Sequence, residues 1–181
     1  MTKIHQQQNY VLELAGDQAK LVEHSLATST CKEKLELLLQ THPQTHWELS
    51  DMIKALYFKA NGTYVGIITP ESGITIPSKQ IIQETLKISI KKAKRYRLNG
   101  TPTGMESGTC TPFPYQHLVG TEISDLIILA HPKPQNLTDI SVGGTEPEAH
   151  KLSMHIPYEL ITQILTQKFG SKVHTLEQVI A

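Results

Sequence analysis

The sequence predicts one domain of mixed α/β (α+β) class, a twisted sheet or partly closed barrel of short strands packed by several helices. Three observations predict it. Short runs rich in Val, Ile, Tyr and Phe recur between Gly, Pro and Asn turns; runs of helical periodicity alternate with them; and no internal repeat interrupts the series. With 181 residues, 39% of them hydrophobic, a single unit spanning residues 1–181 can bury a sizeable core.

Residues 1–18 are Gln-rich and weakly patterned, a short helix or a loose arm with no assigned function. Residues 19–24 read as a short strand. Thr30, Cys31, Lys32 and Glu33 have the form of a capping box, and Leu35, Leu38 and Leu39 follow at helical spacing, so a helix runs to about Thr41 and Pro43 ends it. Residues 52–69 form a β-hairpin, because two strand-like runs flank Asn61-Gly62, a pair that accepts the positive φ angles of a tight primed turn. A third short strand is predicted at 74–76, a helix at 78–94 with Ile81, Ile82 and Leu86 as its inner stripe, and extended chain at 96–98. Residues 99–114 are dense in Gly, Pro, Ser and Thr and read as loop. The apolar run DLIILA at 125–130 suits a strand covered on both faces. Short strands at 140–142 and 152–154 flank a Gly143-Gly144 bend. Pro157 opens a helix with Ile161, Ile164, Leu165 and Phe169 inward and Gly170 at its end; residues 173–180 read as a last short helix.

One hairpin residue is out of pattern. Strand alternation puts Met52, Lys54, Leu56 and Phe58 on one side and Ala55, Tyr57 and Lys59 on the other, so Lys54 stands in an apolar row. Its ammonium must snorkel past the strand end or sit in a partly dry pocket where a counter-charge meets it.

Seventeen basic and seventeen acidic side chains cancel, so no global field draws nucleic acid and any such contact depends on a local patch. The cluster Lys91, Lys92, Lys94, Arg95 and Arg97 is the candidate; such runs are commonly a solvated face, and the functional alternative is a phosphate contact. The N-terminal sequence has no apolar signal region and no run approaches membrane-spanning length, so a soluble, cytoplasmic protein is expected, with no membrane or DNA partner. Cys31 and Cys110 form no disulfide framework and fit a reducing compartment. Nine histidines show neither a His-Glu-x-x-His nor a Cys-x-x-Cys spacing, and Pro43 separates His42 from His46, so no metal and no cofactor is expected.

The order of features allows more. Ile53-Lys54-Ala55-Leu56 opening a strand before the Asn-Gly turn, the loop Gly108, Thr109, Cys110, Thr111 and Pro112 followed by Phe113, and Ile140-Ser141-Val142-Gly143-Gly144 before a final helix together resemble the YbaK family. That family comprises aminoacyl-tRNA deacylases and the related editing insertion of prolyl-tRNA synthetases. The resemblance spans roughly residues 21–169. Ala55 stands where Thr is common and Val142 where many members have Ser, which leaves the amino acid specificity open.

The resemblance implies a YbaK-like fold and hydrolysis of the ester that joins a wrong amino acid to the tRNA 3′ end. Such an ester is activated already, so orientation, carbonyl polarisation and a water suffice. It implies Lys54 and Gly108 as the catalytic centre, with Lys54 anchoring the 3′ end and backbone N–H groups of the Gly108 loop holding the substrate. Thr109, Cys110, Thr111, Pro112, Thr28, His131, Gly143 and Gly144 are matched as substrate-binding, and Ser29 and Val142 more loosely as pocket lining. Partners are then mischarged tRNA and an aminoacyl-tRNA synthetase. Lys54 is expected to point into a concave site bordered by residues 108–112. Two alternatives stay open: a non-catalytic tRNA- or synthetase-binding module of the same fold, and a hydrolase of another ester using Cys110 as nucleophile with His117 as base.

Overall fold

Asn61 and Gly62 adopt φ angles of 51° and 80°, the left-handed pair the turn chemistry requires. They join β2 (Met52–Ala60) to β3 (Thr63–Pro70) in an antiparallel hairpin. The computed structural model that contains this hairpin describes residues 3–91, 94–95, 110–113, 123–143 and 147–177.

Six further strands join the hairpin: β1 (Lys20–Glu23), β4 (Lys94–Arg95), β5 (Ile123–Leu129), β6 (Leu137–Ser141), β7 (Leu152–Pro157) and β8 (Val173–Leu176). They form one mixed sheet in the order β1-β7-β6-β2-β3-β5-β8, open rather than closed into a barrel, with β4 lying against β2. The pairings β2–β6, β3–β5 and β5–β8 are parallel. The β2–β6 ladder is very short, pairing Met52 with Asp139 and Ile53 with Ile140.

Helices cover both faces. On one face α1 (Lys3–Ala15) and α4 (Tyr158–Phe169) pack over Ala55, Tyr57, Leu126, Ile128, Ile140 and Met154 through Val11, Ala15, Ile161 and Leu165. On the other, α3 (Ser78–Leu86) places Ile81 and Ile82 on Leu56, Phe58, Ile67, Ile127 and Leu129. There too α2 (Cys31–Thr41) brings Leu38 against Trp47 and Met52. The apolar run of β5 thus divides between the two layers, as a doubly covered strand must. The capping box of α2 is formed: Thr30 Oγ1 accepts from the Glu33 N–H at 3.2 Å and the Glu33 carboxylate accepts from the Thr30 N–H at 3.2 Å. Pro157 and Gly170 bound α4 as its sequence predicts.

Of the two readings open for the N-terminal segment, the helix is the one formed, and it is docked: Val11 and Ala15 are buried, and Gln8 donates its side-chain amide to the Val142 carbonyl. Three elements differ from the sequence expectation. Residues 74–76 form no strand; Gly73, at φ 77°, and Pro77 bracket them too closely for a ladder, and Ile76 turns into the α3 layer instead. Helix α3 stops at Leu86, where Lys87 takes a left-handed φ of 55°, and β-branched Ile88 and Ile90 pack into the same cluster as irregular chain. The predicted final helix is the strand β8, whose backbone satisfies the edge of β5. Residues 96–98 lie outside the described residues. No helix among the described residues is long and apolar enough to cross a membrane.

Gly66 stands opposite Tyr57 on β2 and Leu126 on β5. A Cβ at Gly66 would meet Leu126 Cδ2 at 2.7 Å and Tyr57 Cε1 at 2.9 Å, both in the packed core. Gly66→Ala is therefore expected to destabilise the fold by about 1–3 kcal/mol in equilibrium chemical denaturation.

Candidate functional site

Lys54 begins on the correct side of β2 to face α2, and its ammonium meets a carboxylate rather than open water. Lys54 Nζ lies 2.9 Å from Glu71 Oε2, with side-chain exposures of 27% and 14%. The hairpin register explains the meeting: Lys54 pairs with Thr69 across the ladder, and Glu71 follows two residues later, its own N–H bonded to the Met52 carbonyl. The carboxylate is fixed further by the N–H groups of Ser72 at 2.9 Å and Gly73 at 2.8 Å. Burial alone would raise the Glu71 carboxyl, but the Lys54 hydrogen bond and the Gly73 and Ser72 amides hold it below the usual carboxylate range.

Cys31, the first residue of α2, borders this pair. Its thiol is pushed up to about 12, by burial first and then by the Glu71 carboxylate, with Lys54 opposing. It is a neutral thiol at physiological pH and no nucleophile.

A second polar group continues under α2. Asp139 on β6 is buried and accepts from Ser153 Oγ at 2.6 Å and meets His155 Nε2 at 3.1 Å, both side chains on β7. Ser153 Oγ is also 2.6 Å from His24 Nε2, and Lys34 Nζ on α2 lies 3.9 Å from Asp139 Oδ1. Burial chiefly, with Lys34 adding to it, lowers His24 to about 4 despite Asp139, so its ring is neutral. Asp139 also contributes to the Cys31 shift, so the two groups adjoin through that thiol.

The predicted site residues distribute unevenly over this arrangement. Thr28 precedes α2; its N–H bonds to the His150 carbonyl at 3.1 Å and its buried hydroxyl has no hydrogen-bond partner. His131 is buried in a separate corner, its Nδ1 accepting from the Lys133 N–H at 2.9 Å, its Nε2 3.5 Å from Asp51 Oδ1, and its ring 5.0 Å from that of Tyr158. Gly143 is buried at φ 77°. Gly108, Thr109 and Gly144 lie outside the described residues, as do Lys92 and Arg97 of the basic cluster and His117.

The expectation that the downstream half of the loop borders Lys54 is corrected by the packing. Tyr57 donates its hydroxyl to the Thr111 carbonyl at 2.6 Å, and Phe113 and Cys110 pack with the α1/α4 cluster. Tyr57 and Lys54 lie on opposite faces of β2, so residues 110–113 and the lysine stand on opposite sides of the sheet. Val142 likewise belongs to the α1/α4 cluster rather than to the face of Lys54.

Sequence reasoning passed over Glu71, Cys31 and the Asp139 group. A signal for the last was present: Leu152, Met154 and Ile156 alternate with Ser153 and His155, which marks a strand whose second face is polar yet must be covered. Glu71 carried no such signal, because only the hairpin register brings it to Lys54.

No protein-family model and no curated protein sequence matches the chain. Solved structures do. One, a candidate trans-editing enzyme for prolyl-tRNA synthetase, is 16% identical with a TM-score of 0.62 over 98% of this chain and 99% of that one. A hypothetical protein matches at 16% identity and a TM-score of 0.63, covering 95% and 99% of the two chains. A scaffold from computational epitope grafting matches at 14% identity and a TM-score of 0.62, covering 98% and 99%. The chain has a YbaK-like fold from end to end, in keeping with the order of its sequence features. At these identities the likeness is one of fold alone.

Two measurements check the electrostatics. With burial pushing the Cys31 thiol up to about 12, its thiolate is scarce at pH 8, so alkylation of Cys31 in the folded protein should run at least ~100-fold slower than in denaturant. The depressed Glu71 carboxyl contributes stability that is whole above its ordinary value of 4.5 and lost as the pH falls through its lower folded value. Glu71→Gln should therefore lower stability at neutral pH and flatten its decline as the pH falls below the ordinary carboxyl value of 4.5.

Proposed function

We propose that this chain hydrolyses the ester of mischarged aminoacyl-tRNA, acting in trans as an editing deacylase. One observation carries the reading: in a fold shared end to end with a candidate trans-editing enzyme, the strand lysine Lys54 is half-enclosed and held by a fixed carboxylate. An ammonium has three donors, and Glu71 occupies one. The others are available to phosphate or ribose oxygens at the tRNA 3′ end, so Glu71 orients the cation without consuming it.

In this mechanism Lys54 anchors the terminal nucleotide electrostatically; because residues 110–113 lie on the other side of the sheet, polarisation of the ester carbonyl falls to backbone N–H groups upstream of them, at Gly108. Water adds to the carbonyl carbon, the bond to the ribose oxygen breaks, and the proton of the water passes to that oxygen, releasing the amino acid and an uncharged 3′ end. The neighbouring ribose hydroxyl of the substrate positions the water, since neither Cys31 nor the buried histidines supply a base at Lys54. Further along β2, Lys59 stands directly opposite Lys94, both exposed, about 16 Å along the strand from Lys54 and on the other face of the sheet, so the tRNA body meets this pair by passing round the hairpin end. Like charges facing each other across a ladder cost stability, and an anionic partner offsets that cost.

Deacylation of a panel of mischarged tRNAs tests the reading, beginning with wrong amino acids on the tRNA that prolyl-tRNA synthetase charges. Lys54→Ala should keep its circular dichroism spectrum and melting temperature and lose at least ~100-fold in kcat/KM. Wild-type binding of tRNA without turnover would instead establish the non-catalytic module, and lost turnover in Cys110→Ala with its fold intact would establish the thiol hydrolase. Reversing Lys59 and Lys94 to Glu should weaken tRNA binding and reduce the slope of log affinity against log salt by about 1–2.

A further inference from the structure

Three buried side chains outside the Lys54 pair converge from three strands. His24 follows β1, Asp139 sits on β6 and His155 on β7, and one ligand-type atom from each lies within 4.8 Å of the other two. Two of these separations are known individually: Asp139 Oδ2 is 3.1 Å from His155 Nε2 and 3.9 Å from His24 Nε2. Ligand atoms around a tetrahedral zinc with bonds near 2.0–2.1 Å stand about 3.3 Å apart, so those two separations need to change by about 0.6 Å or less and the pair of rings, within 4.8 Å, by at most about 1.5 Å to make a coordination shell.

We propose that His24, Asp139 and His155 form a structural binding site for a divalent metal of the zinc class. Two imidazoles and a carboxylate are the donor set that zinc and its neighbours prefer over magnesium or calcium. Burial of all three favours a structural role, pinning β1, β6 and β7 together. The carboxylate is divided in a way that suits coordination. Oδ2 faces both rings and Ser153, while Oδ1 faces Lys34, whose ammonium takes the outer position a ligating carboxylate normally shares with a second partner.

On binding, the metal takes one lone pair from each ring nitrogen and one from Oδ2. In the metal-free protein each Nε2 faces an oxygen it donates to, Asp139 Oδ2 or Ser153 Oγ, so binding requires that proton to leave Nε2 before the lone pair is given to the metal. The Ser153 hydroxyl gives up its bond to Oδ2 and turns its oxygen toward the fourth side of the metal. Lys34 opposes this step, because its charge is held beside the incoming cation, so affinity is set by the competition between the two. The ligands come from separate strands, which is why no short spacing motif announces them.

The full chain, freed of metal with a chelator, is titrated with Zn²⁺ and separately with Co²⁺. The single tryptophan, Trp47, has its ring 4.9 Å from that of His155 and reports occupancy. One equivalent of Co²⁺ should quench Trp47 fluorescence and give a tetrahedral visible spectrum, and Zn²⁺ should displace it and raise the melting temperature. His24→Gln and His155→Gln should each weaken binding at least tenfold; Ser153→Ala should retain it, and Lys34→Met should tighten it several-fold. Quenching without a saturable one-to-one endpoint in the wild type overturns the proposal, whether or not the histidine variants fold. So does an affinity that neither histidine substitution nor Lys34→Met changes.

Discussion

The sheet is joined across its middle by two residue pairs, Met52 with Asp139 and Ile53 with Ile140. On one side of that seam lie β1, β7 and β6; on the other β2, β3, β5 and β8. So short a ladder contributes little by itself, and the packing across it must supply the rest. Helix α2 does so on one face, placing Lys34 at Asp139 of β6 and Cys31 beside Glu71 and Lys54 of the hairpin. Leu38, Trp47 and Met52 close its apolar half. On the other face Ile53 and Ile140 lie in one continuous core with α1 and α4. Because the polar residues under α2 are covered, each must find a partner there, and that requirement fixes the network's composition.

The pairing of Lys54 with Glu71 has a functional logic as well as a structural one. A lone lysine on an apolar strand face would either leave the site for water or lose its charge. Glu71, fixed by two backbone amides of its own turn, holds the ammonium in place at modest entropic cost. The price is a partly neutralised charge, so the pair projects a weaker long-range field than a lone ammonium would.

What the sequence disclosed follows the range of the interactions involved. The Asn61-Gly62 turn, the Thr30 capping box, the doubly buried β5 and the Pro157-to-Gly170 helix depend on neighbours a few residues away, and each formed as read. Lys54 was legible because period-two alternation made it anomalous. The partner was not, since Glu71 reaches it only through hairpin register. Likewise the segment 173–176 has weak local preference, and its fate is decided by the open edge of β5, some fifty residues earlier. The composition of residues 99–114 predicts loop but carries no information on which sheet face residues 110–113 lie against; Tyr57 and its bond to Thr111 decide that. The Asp139 group shows the same limit, because its members are far apart in the chain and none is unusual alone.

The seam also sets how the molecule breathes. Two antiparallel ladders, β2 with β3 and β6 with β7, join strands that follow each other in the chain, whereas the parallel pairings bridge distant segments. Cooperative opening units follow such supersecondary boundaries. The three-stranded and four-stranded halves are therefore separate units of amide exchange, with protection falling where Met52 and Ile53 meet Asp139 and Ile140. Opening there would unseat α2 and uncover the Lys54–Glu71 pair without unfolding either half.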